Sequence, residues 1–346
     1  MSEQASSDIS ITPQRRFVLR AALRSDVGLV RSENQDFGTY TTHAEERESA
    51  AGGRLLIVAD GMGGHRGGAT ASRLAAETVK AQYLGADNDD IPTVLRDSLS
   101  RANARIYSEA QSNPDLRGMG TTTSVLAVRD GEGWLAHVGD SRIYMVRDGE
   151  IKQLTDDHSL VATMVREGLL TSAEAETHPR RNVLQRSMGV AEDVEIDVRG
   201  PIELRAGDVF ILCSDGLHGV VKEDELREIA KMPIEAAADE YLRRALDRGA
   251  PDNVTVIVAQ LETTDGEEED TAPLPDTLDE TQPLLPIDAS AFDETLKDTQ
   301  PLPVADAADM AAAPVPAPPK RAFLLWPWML AVIVLAAAGA WFYWNH

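Results

Sequence analysis

The segment LLIVADGMGGHRGGA, residues 55–69, combines an apolar run, a carboxylate and several glycines. The apolar run is typical of a buried strand that ends at Asp60, and the glycines allow other backbone segments to come close. A glycine-rich turn after a strand often binds phosphate, but a carboxylate at its mouth would repel that phosphate. The spacing also fits neither the P-loop nor the dinucleotide fingerprint. Asp60 and the carbonyl oxygen of Gly61 are instead hard ligands suited to Mg²⁺ or Mn²⁺.

Composition and charge argue against nucleic-acid binding and describe the single cysteine. The 346-residue chain has a formal charge of −24. Nucleic acid is therefore not expected as a partner, because phosphate binding depends on clustered Lys and Arg. The negative charge is concentrated in residues 262–319, which contain 15 Asp or Glu and one Lys. The single cysteine, Cys213, lies in the apolar run VFILCSD and is predicted to be a buried, reduced thiol.

Shifts in composition divide the chain into four segments. Residues 1–16 are polar and predicted to be disordered, whereas residues 17–261 alternate short apolar runs with helical patterns and are predicted to form one globular domain. Residues 262–319 are rich in Pro, Asp, Glu, Thr and Ala, which predicts an extended, disordered linker. Residues 320–346 are predicted to form a membrane anchor.

The predicted anchor contains the 22 residues 323–344, which carry no charge. A helix of that length spans about 33 Å and would cross a hydrocarbon core of about 30 Å. A buried core helix is the weaker alternative, because such helices are rarely so long and so evenly apolar. Lys320 and Arg321 flank the segment and predict a single-pass protein of the cell inner membrane, with residues 17–261 in the cytoplasm.

Periodicity predicts strands and helices within residues 17–261. The predicted strands are FVLRAAL (17–23), LLIVA (55–59), TTSVLAV (122–128), GWLAHVG (133–139), RIYMV (142–146), DVFILCS (208–214) and NVTVIVAQL (253–261). The predicted helices are 67–84, 92–112, 222–230 and 234–248. The tripeptide RDG at 129–131 and again at 147–149 predicts tight turns between antiparallel neighbours.

Four aspartates share a position relative to the predicted strands. Asp60, Asp140 and Asp215 follow apolar runs, and Asp252 precedes one. The end of one antiparallel strand lies beside the start of the next, so all four carboxylates could meet at one edge of the sheet. Each aspartate alone is ordinary turn chemistry. Four gathered carboxylates would repel one another unless a divalent cation neutralised them, which favours a Mn²⁺ or Mg²⁺ site.

The segment RSDVGLVRSENQDFG, residues 24–38, adds two more groups. Asp36 offers a further carboxylate, and Arg31 offers a guanidinium that binds two phosphate oxygens through parallel hydrogen bonds. Paired metal ions with an arginine beside them form a site for phosphoester hydrolysis. Taken alone, Arg31 would be interpreted more simply as the partner of a surface acid.

Several segments, in this order, resemble the metal-dependent Ser/Thr protein phosphatases of the PPM or type-2C family, and its bacterial branch most of all. These segments are SDVGLVRSENQD, VADGMGGH, GMGTTTSVLAV, HVGDSRIYMVRDGEIKQLTDDHS, HPRRNVLQRSMG, LCSDGLHGVV and PDNVTVIVA. They cover about residues 20–260. The resemblance implies an α+β fold, a four-layer α-β-β-α sandwich of two mostly antiparallel sheets flanked by helices. It also implies that residues 17–261 are a phosphatase domain.

The resemblance further implies a metal site at one end of the sandwich. Asp60 would bridge two Mn²⁺ or Mg²⁺ ions, with the Gly61 carbonyl as an added ligand. Asp215 and Asp252 would complete the shell of the first metal. Asp36 would support the second metal, largely by orienting its waters.

The same resemblance assigns the remaining candidate residues. Asp140 would bind a third, looser metal, so two or three ions are expected. Arg31 would bind the phosphate, and residues 159–181 would form a flap that shapes the choice of protein substrate. A metal-bridging water would attack phosphorus directly, without a phosphoenzyme, so Cys213 would not be a nucleophile.

Two positions depart from the pattern of the family. Gln35 replaces a glutamate that often binds the second metal, and an uncharged amide predicts weaker affinity for that ion. Met62 stands where animal members carry a histidine proposed as general acid, so protonation of the leaving group would come from a metal-bound water or from another group such as His65 or His158. A phosphoprotein-binding pseudophosphatase with weak or no turnover is the alternative function. The presence of Asp60 and its companion aspartates disfavours it.

The linker and the resemblance together suggest partners. Phosphorylated proteins would be the substrates, and a Ser/Thr protein kinase would be the natural antagonist. Thr271, Thr281 and Thr299 each follow acids and precede Pro-Leu in a repeated pattern. They could be phosphorylated and then bound by a phosphothreonine reader, although a simple low-complexity tether explains the repeats as well.

Overall fold

The computed structural model of the chain describes residues 16–48, 52–64 and 67–264. Its strands are β1 (Arg16–Asp26), β2 (Asp36–Tyr40), β3 (Arg54–Met62), β4 (Gly120–Thr121), β5 (Thr123–Arg129), β6 (Glu132–Val138), β7 (Arg142–Arg147), β8 (Glu150–Gln153), β9 (Asp197–Glu203), β10 (Val209–Cys213) and β11 (Val254–Thr264). Its α-helices are α1 (His43–Glu48), α2 (Gly67–Leu84), α3 (Ile91–Ser112), α4 (Leu160–Arg166), α5 (Ser172–Thr177), α6 (Asp215–His218), α7 (Glu223–Ile229) and α8 (Ile234–Asp247).

The strands form two antiparallel sheets. One sheet has the order β1-β11-β10-β7-β8, and the other has the order β2-β3-β5-β6-β9, with β4 paired to β3. Both RDG tripeptides make the predicted hairpins, β5–β6 and β7–β8. Asp130 and Asp148 have φ of 52°, the left-handed conformation that tight hairpin turns require.

Alternating side chains on the strands build three apolar layers. Leu55 and Ile57 of β3 pack with helices α2 and α3 on one outer face. Leu56 and Val58 point the other way, into a core shared with strands of the second sheet. Val256 and Val258 of β11 face the second outer layer, which contains residues of α7 and α8. The arrangement is helices, sheet, sheet, helices.

The structure confirms a mixed fold of two antiparallel sheets with helices. The predicted helix 67–84 coincides with α2. The predicted helices 92–112 and 234–248 differ from α3 and α8 by one residue at one end, and 222–230 exceeds α7 by one residue at each end. The prediction missed β2, β4, β8 and β9, which are short or largely exposed and have weak apolar patterns.

The predicted linker and anchor, residues 262–319 and 320–346, lie outside the described residues apart from the end of β11. Within the described ranges, no helix is long and apolar enough to cross a membrane. The predicted membrane anchor at 323–344 therefore stays a prediction.

Candidate metal centre and phosphate site

Strand register brings the predicted carboxylates together. Asp36, the first residue of β2, lies directly opposite Asp60 of β3. Asp215 follows the end of β10, and Asp252 precedes the start of β11, which runs antiparallel to β10. Asp60 is close enough to Asp36, Asp215, Asp140 and Asp252 for each to repel its negative charge. The predicted cluster therefore forms at one end of the two sheets.

Two glycines allow this close approach. A Cβ on Gly61 would lie 2.1 Å from the carbonyl oxygen of Gly68, at the start of α2, and 2.6 Å from that of Gln35. A Cβ on Gly216 would lie 1.9 Å from the carbonyl oxygen of Asn253. Because these neighbours are backbone atoms, only glycine fits beside Asp60 and beside Asp215.

The carboxylates are held in an unfavourable electrostatic environment. Burial raises the pKa of Asp36 to about 7, against the opposing hydrogen bond from Ser214. Burial and repulsion by Asp252 raise the pKa of Asp215 to about 6. Burial and repulsion by Asp36 and Asp215 hold the pKa of Asp60 well above its usual range. A bound cation would offset the burial and the mutual repulsion of all three carboxylates.

Threonines fix the backbone of Asp60. Its N–H donates to the Thr122 hydroxyl at 2.9 Å, and its carbonyl oxygen accepts from the Thr122 N–H at 2.8 Å. The Thr121 hydroxyl donates to the same carbonyl at 2.9 Å. Both backbone groups of Asp60 are therefore hydrogen-bonded, which fixes the point from which its carboxylate enters the cluster.

Two histidines hold the turn that carries Asp140. The Gly139 N–H donates to Nδ1 of His158 at 3.1 Å, and the His158 N–H donates to the Gly139 carbonyl at 2.7 Å. His218 lies with Nε2 3.0 Å from the Asp140 carbonyl, and burial lowers the pKa of this ring to about 3. Burial and repulsion by Asp215 raise the pKa of Asp140 to about 7. Asp140 therefore belongs to the cluster.

Arg31 lies beside the carboxylate cluster and forms a hydrogen bond with one of its members. Its Nη2 donates to Oδ2 of Asp252 at 2.6 Å, and its side chain is 53% exposed. Within the described ranges, no hydrogen-bond partner is found for its Nε or Nη1. The predicted phosphate-binding residue thus keeps two nitrogens available at the mouth of the cluster.

The donor set suits Mn²⁺ or Mg²⁺. All candidate ligands are oxygens, and Oδ1 of Asp36 is buried without a hydrogen-bond partner among the residues described. In the same part of the chain, no three Asp, Glu, His or Cys side chains are placed to hold one ion by themselves. A fit therefore requires the Gly61 carbonyl and water to complete the coordination, as Mg²⁺ usually does with one or two carboxylates.

The structure also shows the surroundings of the residues that depart from the family pattern. The side chain of Gln35 packs against Gly68, where a Cβ would meet its Oε1 at 2.6 Å. The end of the Met62 side chain packs against Gly120. Cys213 is fully buried, and burial raises the pKa of its thiol to about 12, so it is unsuited to act as a nucleophile. His65 lies outside the described residues.

The predicted flap contains α4 and α5. The Leu160 N–H donates to the Val183 carbonyl at 2.8 Å, which closes the base of this segment. Arg181, near its end, is close enough to Asp215 to oppose the rise in the pKa of that carboxyl. The flap therefore ends near the carboxylate cluster.

Sequence analysis missed the polar residues that support the candidate ligands. Ser214 donates to Oδ2 of Asp36 at 2.6 Å, Thr122 holds Asp60, and Asn253 accepts from the Gln35 N–H at 2.8 Å. Each lies within a segment that carries the family resemblance, but a hydroxyl or amide there looks like ordinary strand or turn chemistry. Their roles depend on contacts between residues far apart in sequence.

Comparison with known proteins identifies the family of this chain. A family profile described as protein phosphatase 2C matches residues 33–255. The chain is 36% identical over 252 residues to the serine/threonine phosphatase stp of Listeria monocytogenes, and the match covers 71% of this chain and 97% of that protein. The chain belongs to the protein phosphatase 2C family, which confirms the resemblance predicted from sequence.

A further relative and a solved structure extend this comparison. The chain is 39% identical over 246 residues to the serine/threonine protein phosphatase PstP of Mycobacterium tuberculosis, a match that covers 70% of this chain but only 45% of PstP. The solved catalytic domain of PstP in complex with two manganese ions is 37% identical, with a TM-score of 0.62. That match covers 71% of this chain and 100% of the solved chain.

Proposed function

We propose that the chain is a Mn²⁺- or Mg²⁺-dependent phosphatase that hydrolyses phosphoserine and phosphothreonine in proteins. The observation that carries this proposal is the cluster of Asp36, Asp60, Asp215 and Asp252 with Arg31 at its mouth, on a protein phosphatase 2C fold. The apolar core does not require these mutually repelling carboxylates, and bound cations would explain why they lie together. The presence of two manganese ions in the PstP relative supports the choice of metal.

Each residue of the site has a part in this chemistry. Two bound divalent ions would supply an activated water and would withdraw charge from the phosphoryl oxygens. The carboxylates of Asp60, Asp215 and Asp252 hold the positive charge in place. Arg31 donates from its two available nitrogens to phosphoryl oxygens and orients the phosphate for in-line attack.

The direct test is hydrolysis of a phosphothreonine peptide by the full chain. We expect turnover with added MnCl₂ and none with excess chelator, because the carboxylates cannot bind the phosphate without cations. Release of inorganic phosphate measures the rate. Absence of turnover across a Mn²⁺ titration, while calorimetry still detects Mn²⁺ binding, would favour the pseudophosphatase alternative.

We further propose that the chain is tethered to the inner membrane and opposes a Ser/Thr protein kinase. The uncharged residues 323–344 and the acidic linker before them support the tether. A chain truncated after residue 319 is expected in the soluble fraction, and the full chain in the membrane fraction. Recovery of both in the soluble fraction would contradict the tether.

Phosphorylation of Thr271, Thr281 and Thr299 stays a prediction, which mass spectrometry of the full chain would check.

A further inference from the structure

Arg31 lies on a loop that contains no helix or strand. Residues 27–35 connect β1 to β2, and Leu29 and Val30 beside Arg31 are 66% and 71% exposed. An arginine on such a loop would sample many positions and would lose much of its value as a phosphate ligand. Something else in the fold must hold the loop.

The side chain of Asn253 ties the two ends of this loop together. Its Nδ2 donates to the carbonyl oxygens of Val27 and Glu33, each at 2.9 Å. Its Oδ1 accepts from the Gln35 N–H at 2.8 Å. Asn253 is 5% exposed, so these hydrogen bonds are shielded from water. One buried amide therefore closes the loop on both sides of Arg31.

The neighbouring residue holds the tip of the loop. Asp252 accepts the Asn253 N–H on Oδ1 at 2.9 Å and the Arg31 guanidinium on Oδ2 at 2.6 Å. In addition, the Leu29 N–H donates to the Ala250 carbonyl at 3.0 Å. The turn before β11 thus holds the loop at its ends and at its tip.

We propose that Asn253 is a positioning residue that holds Arg31 in the geometry needed to bind the phosphoryl group. This inference rests on the proposed phosphatase function. Asn253 does not touch the substrate and acts only through the loop. Its amide suits the task because one end accepts an N–H while the other donates to two carbonyls. An aspartate there would place an anionic oxygen against two carbonyl oxygens, and an alanine would leave all three groups without their partner.

A second effect of Asn253 must be separated from the first. The Gln35 carbonyl accepts the Gly61 N–H at 3.1 Å and the Ser72 hydroxyl at 2.6 Å. Loss of Asn253 could therefore also disturb the metal site through Gln35. Measurement of Mn²⁺ affinity separates the two effects, because Arg31 is not a metal ligand.

The test is a double-mutant cycle between Asn253→Ala and Arg31→Ala in the full chain, assayed with a phosphothreonine peptide at saturating Mn²⁺. We expect Asn253→Ala to lower kcat/KM by about 10²-fold when Arg31 is present, since a misplacement of about 1 Å has that effect. In the Arg31→Ala background, Asn253→Ala should lower kcat/KM by less than about 3-fold, because the arginine that Asn253 positions is already absent. Mn²⁺ affinity by calorimetry should change little.

Asn103 provides a matched control within the same domain. It is 2% exposed, accepts the Gly189 N–H at 2.7 Å, and donates to the carbonyls of Ala191 and Glu192 at 3.1 and 2.8 Å. Asn103→Ala removes the same number of hydrogen bonds from a different loop. Its effect on kcat/KM should be the same in both Arg31 backgrounds.

The outcomes separate this inference from the function on which it rests. Equal losses from Asn253→Ala in both backgrounds, or a loss explained by weaker Mn²⁺ binding alone, would overturn the inference and leave the phosphatase function intact. No turnover by the unmodified chain would overturn the function and the inference with it. If Asn253→Ala unfolds at the assay temperature, the same cycle at a lower temperature, at which the variant is folded, has the same expected coupling.

Discussion

Asp60→Asn is expected to lower Mn²⁺-dependent hydrolysis of a phosphothreonine peptide by about 10³-fold or more. Asp60 is the carboxylate that all the others surround, and the resemblance to the family assigns it to both metal ions. An amide oxygen can still touch a cation, but it carries no charge to hold two of them. Rates measured across a Mn²⁺ titration distinguish lost affinity from lost chemistry.

The same substitution is expected to stabilise the protein when chelator is present. A neutral side chain at position 60 removes repulsion with Asp36, Asp215, Asp140 and Asp252. Each 1 kcal/mol of relief raises the Tm by roughly 2–4 °C in a domain of this size. Mn²⁺ should then raise the Tm of the unmodified chain but not that of the variant, because only the former binds the ions tightly. Thermal unfolding with and without Mn²⁺ measures both effects.

Asp208→Asn is the matched control for the loss of a buried carboxylate. Asp208 is 1% exposed, lies at the opposite end of β10 from Asp215, and accepts from Arg147 at 2.7 and 2.6 Å. Its replacement should lower the Tm with or without Mn²⁺ and leave kcat unchanged. Near-normal turnover of Asp60→Asn, or a Mn²⁺-dependent Tm rise in that variant, would contradict a metal site centred on Asp60.

Sequence predicted the parts of the fold that local patterns determine. The helix 67–84 was located by apolar residues three and four apart, and the two RDG turns by their short-range chemistry. Strand β9 was missed because it contains Gly200 and Pro201 and because none of its seven residues is buried. Strand β2 has only five residues, of which the three central ones are partly exposed. Both strands depend on partners distant in sequence, which a local pattern does not encode.

The candidate site shows the same division. The aspartates could be found because each one adjoins an apolar run, and the family resemblance then assigned their roles. The pairing of Asp36 with Asp60 and the contact of Arg31 with Asp252 depend on strand register and on a loop held from elsewhere. The role of Asn253 was beyond sequence reasoning, because its three hydrogen bonds join residues more than 200 positions away.

Gly61→Ala is expected to disable the site although it changes no charge. The added methyl carbon would lie 2.1 Å from the Gly68 carbonyl oxygen and 2.6 Å from that of Gln35, far inside contact distance. Neither neighbour can move easily, because Gly68 lies in the first turn of α2 and the Gln35 carbonyl accepts hydrogen bonds from Gly61 and Ser72. The end of β3 must shift instead, together with the carbonyl of residue 61 and the carboxylate of Asp60.

We expect this variant to lose about 10²-fold or more in kcat/KM, since a displacement near 1 Å is enough for such a loss. Mn²⁺ affinity should weaken in parallel, and overpacking should destabilise the domain by about 1–3 kcal/mol. Calorimetry with Mn²⁺ and denaturant unfolding in chelator measure the two effects separately. Such a result would explain why a glycine-rich segment follows the aspartate proposed to bind metal, since the glycines admit backbone rather than phosphate.

Gly64→Ala, in the same glycine-rich segment, is the matched control. A Cβ on Gly64 meets nothing within 4 Å among the described residues, and its φ does not lie in the left-handed region. It should therefore retain both the activity and the Mn²⁺ affinity of the unmodified chain. If both glycine variants lost activity equally, mobility of the whole segment would be the cause. If neither did, the close approach at Gly61 would have no part in holding Asp60, and the metal site would have to be built from the remaining carboxylates.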